Sequence, residues 1–402
     1  MKKLYVENFG PVKKAEVELR DVNMFIGEQS VGKSTLAKLI TIFTDRVSLC
    51  GLMARDDKWW QRQLKEYGLD VYADTDYTVA YDMAVGNVEL HTGISHGEWS
   101  SYLKKDGKEL TDKKERMNEI MDLMPLRRYD KIVPAMLSYK EAKGTQETIK
   151  HFLSVMSTSL YIPAERIIYS VISNLFAALS LADSTVSRNL LRFMVDLQNA
   201  KSKYPDYAIP MFGISYTHEG TDDYIVLDDN QKRLPIAAAS SGIQSTMPLM
   251  MVLDYAIQER EYSTFVVEEP ECNLFPEKQV ELLKYILAKV KGGHRTLTIT
   301  THSPYLLSAM NNYLFAGKMV ADNGDDVRNA VAEILPADCL LMPGECAVYS
   351  LGESVNGDGT YCKSLLDEAT GMVDFNALDS ASGLMDSEFD ALQDVYIRFK
   401  CK

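Results

Sequence analysis

Three observations on this 402-residue chain predict an α/β fold built on a mainly parallel sheet. Short apolar runs of strand type alternate with helical patterns, the order that lays helices over both faces of such a sheet. A glycine-rich turn (residues 27–32) joins an apolar run to a helical one near the start of the chain. The composition, 46% apolar and 25% charged, suits a chain that buries a sizeable core. It excludes collagen-like, disordered and disulfide-scaffold classes.

The elements follow in order. Leu4–Val6, Ala15–Leu19 and Val22–Ile26 read as strands, with a turn at Asn8-Phe9-Gly10-Pro11. A helix is expected from Lys33 to about Phe43. Residues 45–155 read as an insertion: 70–89 alternates like a strand pair, and 104–150 is charge-rich and expected to be helical. With twelve Lys/Arg against nine Asp/Glu, that second stretch reads as a solvated helix face, and nucleic-acid contact is its minority reading.

Leu160-Tyr161-Ile162 is a strand leading into Pro163-Ala164-Glu165-Arg166, then two helices to about Lys203. A hairpin is predicted at 212–227 around Glu219-Gly220, and a long helix from Gly242 to Arg260. Strand 264–267, helix 277–291, strand 296–300 and helix 304–314 complete the alternation. The acidic tail, 316–402, carries a strand signal at Cys346–Leu351 and an amphipathic pattern at Asp386–Phe399, expected to pack on the core.

The stretch Ile167–Ala182 lacks charge but is too short and too rich in serine to span a bilayer, so it reads as a buried helix and no membrane contact is expected. Six cysteines without a CxxC pair suggest reduced thiols and a cytoplasmic setting. The net charge of −14 argues against a broadly basic nucleic-acid surface.

Gly27, Glu28, Gln29, Ser30, Val31, Gly32, Lys33 and Ser34 fill G-x-x-x-x-G-K-[ST] between a strand and a helix, the P-loop context. Glycines let the backbone close on phosphate oxygens, and the helix N-terminus offers N–H groups. Lys33 adds a full charge, Ser34 a hydroxyl for Mg²⁺, and Thr35 continues the loop into the helix. These residues predict ATP binding. The apolar run Thr264–Val267 ends in Glu268 and Glu269: Glu268 is the candidate metal ligand and Glu269 the candidate general base for attack by water. His302, after a further strand, is placed to sense the γ-phosphate. Ser240, Ser241, Gly242 and Gln244 open a long helix and present an anion-binding N-terminus.

Together these elements resemble the ABC-type ATPase heads of the RecF/SMC/OLD group, and most of all stand-alone OLD-like bacterial ATPases. The likeness covers about residues 1–315. It rests on Asn8-Phe9-Gly10-Pro11, the P-loop, Tyr161–Arg166, Ser240–Gln244, Val267–Pro276 and Thr301-His302-Ser303-Pro304. It implies an ATPase core in two parts, 1–44 and 156–315, with 45–155 as an inserted β/helical lobe. It also implies a homodimer or higher oligomer sandwiching ATP, in which Ser241 and Gly242 of one copy reach the γ-phosphate held at Lys33 of the other.

Ile243 stands where the usual Leu-Ser-Gly-Gly-Gln has glycine. No DxD cluster of a TOPRIM nuclease is seen, so the resemblance implies an anti-phage or stress ATPase working with a separate effector protein. The other reading is a RecF/SMC-like DNA-repair ATPase that binds DNA.

Overall fold

A computed structural model describes residues 1–45, 48–49, 57–73, 76–123, 158–172, 187–220, 222–227, 232–259, 262–292, 295–356, 358–367 and 369–373. Its first three strands are β1 (Lys2–Phe9), β2 (Val12–Leu19) and β3 (Val22–Gly27), and helix α1 (Lys33–Thr44) follows. Next come α2 (Asp57–Glu66), the meander β4 (Thr78–Val85), β5 (Val88–Ser95), β6 (Glu98–Lys105) and β7 (Lys108–Glu109), and α3 (Lys113–Leu123). Strand β8 (Ser159–Ile162) precedes α4 (Arg188–Lys203) and the strands β9 (Asp206–Ile209), β10 (Ile214–Glu219), β11 (Asp222–Leu227) and β12 (Arg233–Pro235). The chain continues through α5 (Ser241–Glu259), β13 (Thr264–Glu268), α6 (Pro276–Val290), β14 (Thr296–Thr301), α7 (Pro304–Asn323), α8 (Asp325–Ala332), β15 (Cys346–Leu351) and β16 (Cys362–Ser364).

The central sheet runs β16-β15-β3-β14-β13-β8, with every pairing parallel except the β15–β16 edge. All of its strands but the edge strand β16 are buried on both faces, and their side chains alternate between two cores as the period of two requires. Met24, Ile26, Phe265, Val267, Ile299 and Val348 pack against the helices that follow β8. Phe25, Val266, Tyr349 and Leu351 point the other way, into a core shared with α1 and the antiparallel strands. The register sets Thr300 beside both Glu268 and Phe25, and Thr301 beside Ile26. The carboxyl ends of β3, β13 and β14 therefore form one edge, where open α/β sheets place their ligands.

The strands expected inside the insertion do not form a sheet of their own. They extend the hairpin β1–β2 into one antiparallel sheet, β2-β1-β4-β5-β6-β7, through the β1–β4 pairing. The two flanks of the insertion meet at Asp45, whose carboxylate accepts N–H bonds from Ser48 (3.0 Å), Thr158 (2.9 Å) and Ser159 (3.3 Å). A four-stranded sheet, β12-β11-β10-β9, contains the predicted hairpin and two further strands.

One sequence expectation is corrected. Residues 104 and 105 end a strand, a second short strand follows, and helix begins only at Lys113, because alternation in Glu98–Lys105 favours pairing with β5. The uncharged stretch starts with short helical turns at 164–172, and 173–182 lies outside the described residues. So do residues 124–157, the rest of the charge-rich stretch, and the tail pattern at 386–399. Cys272, Cys339, Cys346 and Cys362 are free thiols. Among the described residues, no helix is long and apolar enough to cross a membrane.

Candidate functional site: a nucleotide pocket at the carboxyl edge of the sheet

The turn from β3 into α1 uses backbone that few side chains tolerate. Ser30 and Gly32 have φ values of 64° and 87°. A Cβ on Gly32 would also lie 2.6 Å from a methyl of Val12. Helix α1 starts with no side-chain cap and no acid in its first turn, so its N–H groups face the loop rather than a side chain of their own. Lys33 is buried, and its Nζ donates to the carbonyls of Gly27 (2.8 Å) and Glu28 (2.6 Å). Burial draws its pKa down to about 8, against the pull of Glu269, Glu271 and Glu268.

Lys33 Nζ lies 3.4 Å from His302 Nδ1, and His302 Nε2 lies 3.2 Å from Glu269 Oε1. The three expected catalytic groups, each from the segment that follows one of three separate strands, thus form one line of contacts. Glu269 sits just past β13 at φ 42°, a left-handed conformation before Pro270 that is sterically disfavoured. That turn carries its carboxylate away from the strand and toward His302.

Glu268 ends β13 and is buried, its pKa raised by desolvation. Tyr161 donates to its Oε2, and the Ser34 hydroxyl also bonds the carboxylate. Its Oε1 has no hydrogen-bond partner among the described residues. A buried carboxylate with an unused oxygen beside a serine hydroxyl suits a hard divalent cation such as Mg²⁺.

Around these groups lie Gly27 of the loop and residues to which the sequence had assigned no individual role. Glu271 Oε1 accepts from Thr301 Oγ1 and from the backbone N–H of His302, both at 2.7 Å, which ties the β13 turn to the β14 turn. Cys272 Sγ donates to Glu269 Oε2 at 3.2 Å. From the tail, Tyr361 donates to Pro11 O at 2.6 Å and to Val31 O, bracing the loop from outside. A Cβ on Gly27 would meet Leu351 O at 2.3 Å. Glu271 belongs to the acidic run after β13, so its proximity was legible there. Nothing local to Tyr361 signals a partner some 330 positions away.

The four residues expected at the helix start are not brought to this pocket within one chain. Ser240 and Ser241 are exposed at the start of α5. Gly242 packs on the β13 loop, where a Cβ would stand 2.8 Å from Asn273 O. Gln244 is engaged elsewhere: its amide donates to Ala239 O (2.7 Å) and Ala237 O (3.3 Å), and Ser170 donates to its oxygen.

Two overlapping stretches, residues 1–123 and 100–307, match the AAA ATPase domain family. No curated protein matches the chain. Among solved structures, the SMC head domain from Thermotoga maritima is similar at 12% identity, covering 76% of this chain and 90% of its own, with a TM-score of 0.37. An SMC head bound to the C-terminal winged-helix domain of ScpA is 12% identical, with 91% and 98% covered and a TM-score of 0.43. The RecF recombination mediator is 14% identical, with 90% and 97% covered and a TM-score of 0.32. The α/β class read from the sequence, with a mainly parallel central sheet and an ATPase domain, is the one observed, and antiparallel sheets lie beside it. With its loop, paired acids and histidine on the carboxyl edge of that sheet, the chain belongs to the AAA ATPase domain family.

Proposed function

We propose that this chain binds ATP with Mg²⁺ at the loop between β3 and α1, hydrolyses it, and uses the cycle as a switch between paired copies. The observation that carries the reading is the contact line Lys33–His302–Glu269 beside a buried carboxylate with an unused oxygen. Ser34 and Glu268 are the residues that would hold Mg²⁺, which when bound offsets charge on the phosphate oxygens. Lys33 and the N–H groups of the loop bind the β- and γ-phosphates. Glu269 takes a proton from water as its oxygen bonds to the γ-phosphorus, and the bridging P–O bond breaks to release ADP. His302 touches both Glu269 and Lys33, so it orients the base and changes partners as the γ-phosphate leaves.

Exposure of Ser240 and Ser241 supports a sandwich in which the start of α5 completes the pocket of a second copy. The likeness of the motif set to OLD-type ATPases supports a cytoplasmic anti-phage or stress role, with the nucleotide state passed to a separate effector protein.

The switch is tested by light scattering on Glu269→Gln, which should hold ATP uncleaved. Addition of ATP and Mg²⁺ is expected to double the mass. Ser241→Arg in the same background is expected to bind ATP and stay single. A mass that ATP leaves unchanged would overturn the sandwich.

A further inference from the structure

Arg166 is fully buried, at 0% exposure. Such a cation would ordinarily pair with a carboxylate, yet among the described residues its hydrogen bonds all go to backbone carbonyls. Its Nε donates to Ser245 O of α5 (3.0 Å). One terminal nitrogen donates to Pro163 O (3.0 Å) and Glu268 O (2.8 Å), and the other to Glu269 O (2.9 Å) and Pro270 O (3.4 Å). All five donors of the fork are used, on three separate segments.

The acceptors are informative. Three are the consecutive carbonyls 268–270, which flank the left-handed Glu269 and set the plane of its peptide. Of the other two, Ser245 O is on α5 one turn beyond Ser241 and Gly242, where Pro248 removes the N–H that would bond Gln244 O and loosens the ladder. A displacement at the start of α5 therefore moves Ser245 O, and the rigid guanidinium passes it to the backbone that aims Glu269.

We propose that Arg166 is a positioning residue that couples the start of α5 to the orientation of Glu269, so that the base is set for attack when that helix start is engaged. The proposal rests on the hydrolysis reading above.

The test compares Arg166→Lys with wild type for ATP affinity, melting temperature and phosphate release, each also in a Glu269→Gln background. Lysine keeps the charge but cannot span the three segments. Turnover is expected to fall about 10- to 100-fold, the scale of a slightly misplaced reacting group, with ATP affinity within about twofold of wild type. In Glu269→Gln, where the base is already gone, Arg166→Lys should cause no further loss.

Wild-type turnover in Arg166→Lys overturns the proposal. So does a loss that tracks ATP affinity and melting temperature, or one that adds in full to Glu269→Gln. A wild-type protein without turnover, or Glu269→Gln as fast as wild type, instead defeats the hydrolysis reading and removes the basis for the proposal.

If Arg166→Lys does not fold, hydrogen exchange on Glu269→Gln decides. Added ATP should slow exchange together in peptides spanning 241–247 and 268–274. Slowing confined to the first is the contrary result.

Discussion

Burial leaves the Lys33 ammonium half-charged near pH 8, and a bound triphosphate would restore the full charge. The nucleotide complex then binds more protons than the free protein, so affinity must fall as pH rises through that range. Calorimetry at pH 8 in buffers of different ionisation heat should find an uptake of about half a proton per ATP, the fraction left uncharged when pH equals pKa. Lys33→Ala should abolish the uptake and weaken ATP about 10- to 150-fold, the equivalent of a charged hydrogen bond of about 1.5–3 kcal/mol.

Glu268 carries the opposite sign. Burial raises its pKa, so acid protonates it more readily than an exposed glutamate, and Mg²⁺ affinity should drop as pH is lowered. A titration of Mg²⁺ between neutral and mildly acidic pH reads this directly. These residues were legible in sequence because phosphate and metal chemistry restrict their types and spacing. Tyr161 and Arg166 lay inside a quoted motif, but their roles depend on which carbonyls and carboxylates lie opposite, which is decided by packing.

At the scale of elements, close approaches set the tolerances. Gly317 on α7 lets the helix lie against the 340–342 segment, and a Cβ there would stand 2.0 Å from Leu341 O. Gly317→Ala should cost about 1–3 kcal/mol or more of stability by overpacking, read as a lower urea midpoint, with the nucleotide pocket untouched. Tyr361→Phe should act on the pocket itself. The loop loses its outer brace at Pro11 O and Val31 O, stability falls by about 1–3 kcal/mol, and ATP affinity falls with it.

Most strands and helices were legible because apolar periodicity is local: β3, β8, β13, β14, β15 and α5 stand within a few residues of where the sequence placed them. Pairing is not local. Nothing in Thr78–Val85 says that it bonds β1 across some 75 positions, and nothing in Cys346–Leu351 says that it lies beside β3 in the central sheet. The start of the charge-rich stretch, 104–109, was misread because lysine and glutamate on an exposed antiparallel face mimic a solvated helix.

For the whole molecule, the parallel sheet divides the core in two and leaves one edge at which three strand ends converge. Lys33, Glu269 and His302 are far apart in sequence, and the parallel register brings them together. The exposed start of α5 lies outside that line of contacts in the single chain, so the account needs a second copy to complete the pocket. The deciding measurement is steady-state phosphate release from wild type, Lys33→Ala and Glu269→Gln, with ATP binding measured alongside. Turnover is expected in wild type, ATP binding weakened about 10- to 150-fold in Lys33→Ala, and retained binding with release slowed on the order of 100-fold or more in Glu269→Gln. Glu269→Gln releasing phosphate at the wild-type rate, or Lys33→Ala binding ATP as tightly as wild type, would contradict it.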